Sequence, residues 1–212
     1  MLACAVLLLA GGAVFVHEQY ADPLDRQVGL WAAARLAGYG GAVRLGSDLG
    51  QKADILVISA VLVVACLAAR RVNGAVLATV SAPAASVATD KVLKPLAGHL
   101  YTYATYPSGH TTAFFALVAT TAVLLAARPA GPARRALRFT IVIAAVMIGC
   151  AMSLAVIGSG DHRPIDTVGG AAVGISVVLI GAFLLDLPVS RSLLGRVDLG
   201  QQIRPATRTS SG

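Results

Sequence analysis

Two short polar clusters in this chain each come directly before a long apolar run. The first is Tyr-Pro-Ser-Gly-His at residues 106–110, and the second is Gly-Asp-His-Arg-Pro-Ile-Asp at residues 160–166. An imidazole titrates near neutral pH, so it can transfer a proton or attack an electrophile. If the apolar runs are membrane helices, two histidines and a carboxylate meet where the bilayer ends. This placement indicates chemistry on a lipid head group.

The first cluster has the composition of a helix start that binds an anion. Ser108 offers an N-cap hydroxyl, and Gly109 leaves the backbone open. The unpaired N–H groups there are supported by the positive end of the helix dipole. His110, in the first turn, is placed to give a proton to a departing alkoxide. Taken alone, the tetrapeptide favours a plain helix cap.

The second cluster pairs a histidine with a carboxylate. Pro164 suits the first turn of a helix, and the spacing of four puts His162 and Asp166 on one face. The carboxylate can then hold one ring nitrogen and leave the other free to attack phosphorus, giving a phosphohistidine. The alternative is a polar helix end in which Asp166 merely pairs with Arg163. The presence of both clusters favours the catalytic interpretation.

The composition is that of an integral membrane protein. Hydrophobic residues make up 57% of the chain, charged residues 13%, and the mean hydropathy is +0.77, whereas charged residues are about a quarter of a soluble domain. A helix needs about 20 apolar residues to cross a bilayer, and a barrel strand would alternate in polarity. The apolar runs therefore predict an all-α six-helix bundle, with spans near residues 2–16, 54–69, 72–90, 110–127, 139–158 and 167–187.

We expect one membrane domain at residues 1–188 and a partly disordered cytoplasmic tail at residues 189–212, which is polar and contains Gly and Ser. About thirty-five residues separate the first two spans. Pro23 marks a helix start in this segment, and Trp31 lies among Arg26, Arg35 and Arg44. These features predict one or two amphipathic helices at the extracytoplasmic interface.

The distribution of positive charge predicts the orientation. Ten of the seventeen Lys and Arg residues fall on one side of the predicted bundle, in the pair Arg70-Arg71, the loop at 128–138 and the tail. The positive-inside rule then places both termini in the cytoplasm and the polar clusters outside the plasma (inner) membrane. Because the arginines are dispersed without aromatic residues between them, the net charge of +7 does not indicate nucleic acid.

These motifs resemble those of the type 2 phosphatidic acid phosphatase family of membrane lipid phosphatases, over about residues 90–170. The family pattern is Lys, six residues, Arg-Pro; then Pro-Ser-Gly-His; then Ser-Arg, five residues, His, three residues, Asp. The resemblance implies that His162 is the nucleophile, Asp166 its orienting partner and His110 the acid. Ser108 and Gly109 would be phosphate ligands, and neither a metal nor another cofactor is required.

Both arginines of that pattern are replaced here. Counting from Lys94 reaches Tyr101-Thr102 where the family has Arg-Pro, and counting back from His162 reaches Ala155-Val156 where it has Ser-Arg. An arginine fork stabilises the charge of a phosphoryl transition state through two hydrogen bonds. The cations expected to replace it at the same mouth are Lys94, His99 and Arg163.

Several functions stay open at this point. The substrate of a hydrolase could be polyprenyl pyrophosphate or phosphate, phosphatidylglycerophosphate or phosphatidic acid, and a phosphotransferase would use an acceptor other than water. The two missing arginines motivate a non-catalytic protein that binds lipid phosphate or a partner protein. A metal site formed by His99, His110, His162 and Asp166 is a weaker hypothesis. The sequence predicts no oligomeric state.

Overall fold

The computed structural model describes residues 23–96, 106–127 and 131–186. Within these ranges the chain is helical and contains no strand, which confirms the all-α prediction. The helices are α1 (Pro23–Leu36), α2 (Gly40–Asp48), α3 (Lys52–Ala68), α4 (Val72–Val87), α5 (Gly109–Ala126), α6 (Pro132–Gly158) and α7 (Pro164–Asp186). A wider π-helical turn, Ala88–Leu93, continues α4.

Four helical stretches are each long and apolar enough to cross a bilayer, namely Val72–Leu96, Gly109–Ala126, Pro132–Gly158 and Pro164–Leu185. Helices α2 and α3 meet the same criterion only as a pair, which is bent by 56°. The described residues therefore hold four or five candidate spans of a multi-pass membrane protein. The predicted span at 2–16 and the predicted tail at 189–212 lie outside them, so the count of six stays a prediction.

Helix α5 lies at the centre of the bundle. Every residue from Thr111 to Thr120 is buried, and the helix packs against α3, α4, α6 and α7. Phe114 of α5 shares a buried cluster with Ile55 of α3 and Met152 of α6. A helix that is surrounded in this way presents no face to water, which explains why its sequence is apolar on all sides. Its first turn, with His110, therefore starts amid the surrounding helices.

Glycines let α5 and α7 approach with their backbones in contact. A Cβ at Gly170 would lie 2.6 Å from the carbonyl oxygen of Ser108, and a Cβ at Gly174 would overlap the carbonyl oxygen of Thr112. This spacing of small residues is common where membrane helices pack closely. At the same end of the pair, the N–H of Ser108 donates to the carbonyl oxygen of Asp166 at 2.9 Å. The two polar clusters of the sequence are thereby joined.

The opposite end of α5 is bound by an arginine. Nη1 of Arg71 donates to the carbonyl oxygen of Leu124 at 2.6 Å, where the last carbonyls of a helix lack partners and carry partial negative charge. Arg71 and His110 therefore lie at opposite ends of the bundle. This separation agrees with the predicted division between a basic side and a side that carries the polar clusters.

Helices α1 and α2 occupy the segment for which interfacial helices were predicted, and both pack on the last turns of α6. A Cβ at Gly158 would lie 2.6 Å from Cδ1 of Leu36, and one at Gly46 would lie 2.7 Å from the Cβ of Ala155. These contacts hold the segment 23–48 over the end of the bundle that carries His110 and His162. Its position relative to a membrane surface stays a prediction.

Replacing Gly174 by Ala is expected to destabilise the bundle. The new methyl group meets backbone atoms of Thr112 and Ala116, which cannot move without separating α5 from α7, and such overpacking costs about 1–3 kcal/mol. The thermal unfolding temperature in detergent should fall. Gly181→Ala is the matched control, because its Cβ would meet only a terminal side-chain carbon of Leu77 at 3.3 Å. Equal unfolding temperatures for the two variants would contradict the expected close contact.

Candidate active site

Ser108 forms the N-cap of α5, as its position in the sequence predicts. Its hydroxyl oxygen accepts from the backbone N–H of Thr111 at 3.5 Å and from Oγ1 of Thr111 at 3.2 Å. The side chain is fully buried. No hydrogen bond within the described residues engages the N–H groups of Gly109 and His110. The helix start thus keeps two donors available for an anion.

His110 packs against Gly50, in the bend between α2 and α3. A Cβ at Gly50 would lie 2.7 Å from the Cβ of His110 and 3.1 Å from its Cδ2. Only a residue without a side chain fits here with His110 in this position. Sequence reasoning missed Gly50, because no motif marks it and the contact spans sixty residues.

The start of α7 is held by two carboxylates. Oδ2 of Asp166 accepts from the backbone N–H of Arg163 at 3.0 Å, as in a capping box. Oδ1 of Asp25, in α1, accepts from the N–H of Ile165 at 3.0 Å. An arginine cannot supply the usual N-cap oxygen at position 163, so Asp25 provides one from 140 residues earlier in the chain. Sequence reasoning missed Asp25 for this reason.

His162 and Asp166 face each other on one side of the α7 start, as their spacing predicts. Nδ1 of His162 lies 3.5 Å from Oδ2 of Asp166, and the carboxylate is fully buried. This distance exceeds that of a hydrogen bond by a few tenths of an ångström, and such contacts often tighten when substrate binds. Nδ1 is buried without a hydrogen bond among the described residues. Nε2 is therefore the nitrogen that is left for a ligand.

The structure brings His110 and His162 together. Their ring centroids are 6.3 Å apart, and the ring planes are inclined by 65°. The rings are thus near neighbours in an edge-to-face arrangement. The two imidazoles, from α5 and from the turn before α7, therefore belong to one site.

Tyr106 packs against the first turns of α7. Its ring lies against Gly169, where a Cβ would overlap it, and the side chain is buried. Burial raises the pKa of the phenol, and the negative charge of Asp166 raises it further. The phenol therefore stays protonated at neutral pH and can act as a donor near the carboxylate. Tyr106 belongs to the first polar cluster, but no spacing in the sequence assigns it a role.

The three cations expected to replace the missing arginines have different outcomes. Nζ of Lys94 pairs with Oδ1 of Asp90 at 2.8 Å and would lie 3.6 Å from a Cβ at Gly109, so it lies beside the start of α5. Arg163 lines a cavity together with His162. His99 lies outside the described residues. At the position of the family's second arginine, Val156 is 2% exposed and packs in the core.

The cavity that reaches His162 has a volume of about 410 Å³ and lies between α1 and the start of α7. Its walls come from one face of α1, the last turns of α6 and the turn before α7. The lining residues are Asp25, Arg26, Gly29, Leu30, Ala33, Ile157, Gly160, Asp161, His162, Arg163, Pro164 and Asp166. Nothing in the sequence motifs pointed to α1 as a wall of this site.

Among the described residues, no group of three or more His, Cys, Asp or Glu side chains is arranged to hold a metal ion. The four-residue metal hypothesis includes His99, which lies outside the described residues. His110, His162 and Asp166, which are described, do not form such a group by themselves.

The fold and the site define a helical, multi-pass membrane protein with two histidines and a carboxylate at one end of its bundle. The model of the PAP2 superfamily matches residues 60–185, and the chain belongs to this superfamily. Its members are phosphatases, which supports hydrolysis of a phosphoester as the general activity. No curated protein and no solved structure matches the chain. The matched range includes both polar clusters but neither α1 nor Gly50.

Replacing Gly50 by Ala is expected to lower phosphatase activity more than stability. The new methyl group forces the His110 ring out of its position, and a displacement of about 1 Å at a reacting group can cost up to a hundredfold in rate. Phosphate release should fall about tenfold or more. Gly41→Ala is the control, since a Cβ there meets nothing within 4 Å. Unchanged activity in Gly50→Ala would show that the position of His110 is unimportant.

Proposed function

We propose that this protein is a membrane lipid phosphatase that works through a phosphohistidine intermediate. The observation that carries the proposal is the separation of 6.3 Å between the rings of His110 and His162, with Asp166 behind His162. One imidazole with a carboxylate at its buried nitrogen is an oriented nucleophile, and a second imidazole opposite it is an acid. The membership of the PAP2 superfamily supports the same reaction class.

The proposed reaction has two steps. Nε2 of His162 attacks phosphorus and forms a P–N bond, while the P–O bond to the lipid breaks and protonated His110 gives its proton to the departing oxygen. Water then attacks the phosphorus, neutral His110 accepts the proton of the water, and the P–N bond breaks. The electron pair of that bond returns to His162. Asp166 stabilises the imidazolium that forms while the phosphoryl group is attached.

The start of α5 is proposed to hold the phosphate oxygens. The N–H groups of Gly109 and His110 direct their partial positive charge at the site, and Nζ of Lys94, which is paired with Asp90, offers further N–H donors at its edge. The hydroxyl of Ser108 caps the helix and thereby fixes these N–H groups. We assign Ser108 to phosphate binding through this backbone, and Arg163, which lines the cavity together with His162, is a further phosphate-binding candidate.

The substrate class follows from the location of the site. Both histidines lie at the ends of apolar helices, where a lipid head group would be placed. We propose that the phosphomonoester or pyrophosphate of a polyprenyl or glycerolipid is hydrolysed at the outer leaflet of the plasma membrane. The orientation rests on the positive-inside rule, with both termini in the cytoplasm. Residues 1–188 would form the catalytic domain.

Substitution of His162, His110 or Asp166 should remove most of the activity. His162→Ala lacks the nucleophile, and the loss of a general acid in His110→Ala costs about a hundredfold to ten-thousandfold. The rate of phosphate release from polyprenyl and glycerolipid phosphates measures the effect. The rate of the Asp166→Asn variant should fall by a similar factor. Lys91→Ala is the control on the exposed side of the π-helical turn. Equal release by wild type and His162→Ala would favour the non-catalytic, lipid-phosphate-binding alternative.

Labelled water separates the hydrolase from the phosphotransferase. In water enriched in oxygen-18, a hydrolase puts one heavy oxygen into each released phosphate, because water attacks the phosphohistidine. A phosphotransferase passes the group to an added alcohol, whose phosphate ester then accumulates without label from water. We expect labelled inorganic phosphate as the main product in mass spectrometry.

Release of phosphate should also continue when a metal chelator is present. Loss of phosphate release in the chelator would support the metal-site hypothesis.

A further inference from the structure

One face of α1 lines the cavity that reaches His162. Arg26, Gly29, Leu30 and Ala33 occupy positions i, i+3, i+4 and i+7, which places them on the same side of the helix. The hydrogen bond from Ile165 to Asp25 fixes this face relative to the start of α7. Arg26 follows Asp25 in α1, so this hydrogen bond also holds Arg26 in the wall of the cavity that His162 lines.

The residues that line the cavity change from charged to apolar along α1. Arg26 and Arg163 stand near the start of α7, whereas Leu30, Ala33 and Ile157 make an apolar wall further along. A volume of about 410 Å³ falls within the usual range of small-molecule sites. An anionic group bonded to an apolar chain matches such a gradient, and a free inorganic anion would fill only its charged end.

The acidic residues of the cavity are already engaged. Asp25 accepts from Ile165, Asp166 accepts from Arg163, and Asp161 accepts from the hydroxyl of Ser159 at 2.7 Å. One oxygen of each carboxylate thus has a hydrogen-bond donor within the chain. Arg26 is exposed, and no ion pair between described residues engages its guanidinium. A guanidinium in this setting can bind a phosphate through two parallel hydrogen bonds.

We propose that α1 is part of the substrate-binding site, with Arg26 as a phosphate-binding residue and Leu30 as a contact for the adjoining lipid chain. Val156 stands where the family pattern has its second arginine. Arg26 and Arg163 would together supply the positive charge of that missing arginine. The inference rests on the proposed function, and it adds a recognition element from outside the family match at residues 60–185. The ligand class is a lipid phosphate with its apolar part along α1.

Binding to the inactive His162→Ala protein in detergent tests this inference. The probes are dioctanoyl phosphatidic acid and inorganic phosphate, and titration calorimetry gives each Kd. Adding Arg26→Ala should weaken phosphatidic acid binding about tenfold, the loss typical of a charge-assisted hydrogen bond. Arg26→Lys should recover part of it. Leu30→Gln should weaken binding of the lipid and leave that of inorganic phosphate unchanged.

Arg35→Ala is the matched control, because Arg35 belongs to the same helix but lies over the Trp31 ring at 6.0 Å and does not line the cavity. It should stay within twofold of the parent protein. Equal affinities for Arg26→Ala and Arg35→Ala, with unchanged unfolding temperatures, would overturn the inference even if wild type releases phosphate. If wild type released none while Arg26→Ala still weakened binding, the proposed phosphatase activity would fail and the binding site would stand.

Discussion

The backbone contact between α5 and α7 positions everything else at the site. Gly170 and Gly174 allow the two helices to touch, and the N–H of Ser108 then reaches the carbonyl oxygen of Asp166. This hydrogen bond holds one polar cluster against the other in the interior, where an unpaired backbone group would be costly. The two segments that carry the histidines are therefore joined through their backbones.

The elements that the sequence predicted well are those governed by local patterns. The apolar runs gave the helices α3 to α7, because a span needs a fixed number of apolar residues. The cap at Ser108, the helix start at Pro164 and the pairing of His162 with Asp166 depend on spacings of two to four residues. Such spacings fix geometry without knowledge of the tertiary fold.

The elements that the sequence did not reveal are contacts between distant segments. Asp25 bonds to a helix 140 residues away, and Gly50 touches His110 across sixty. Nothing near either residue marks its partner, since one carboxylate or one glycine fits many local environments. The same holds for Arg26, which the sequence placed only in an interfacial helix. Three-dimensional packing, and not local sequence, thus decides which cations can replace the motif arginines.

The cap that Asp25 provides has a consequence for biogenesis. The first turn of α7 has its N–H at Ile165 satisfied by a carboxylate that is translated 140 residues earlier. The hydrogen bond between α1 and α7 can therefore form only after the helices between them have been synthesised. A nascent chain that stops before Ile165 lacks this hydrogen bond, so α1 is joined to the start of α7 only after translation has passed Ile165.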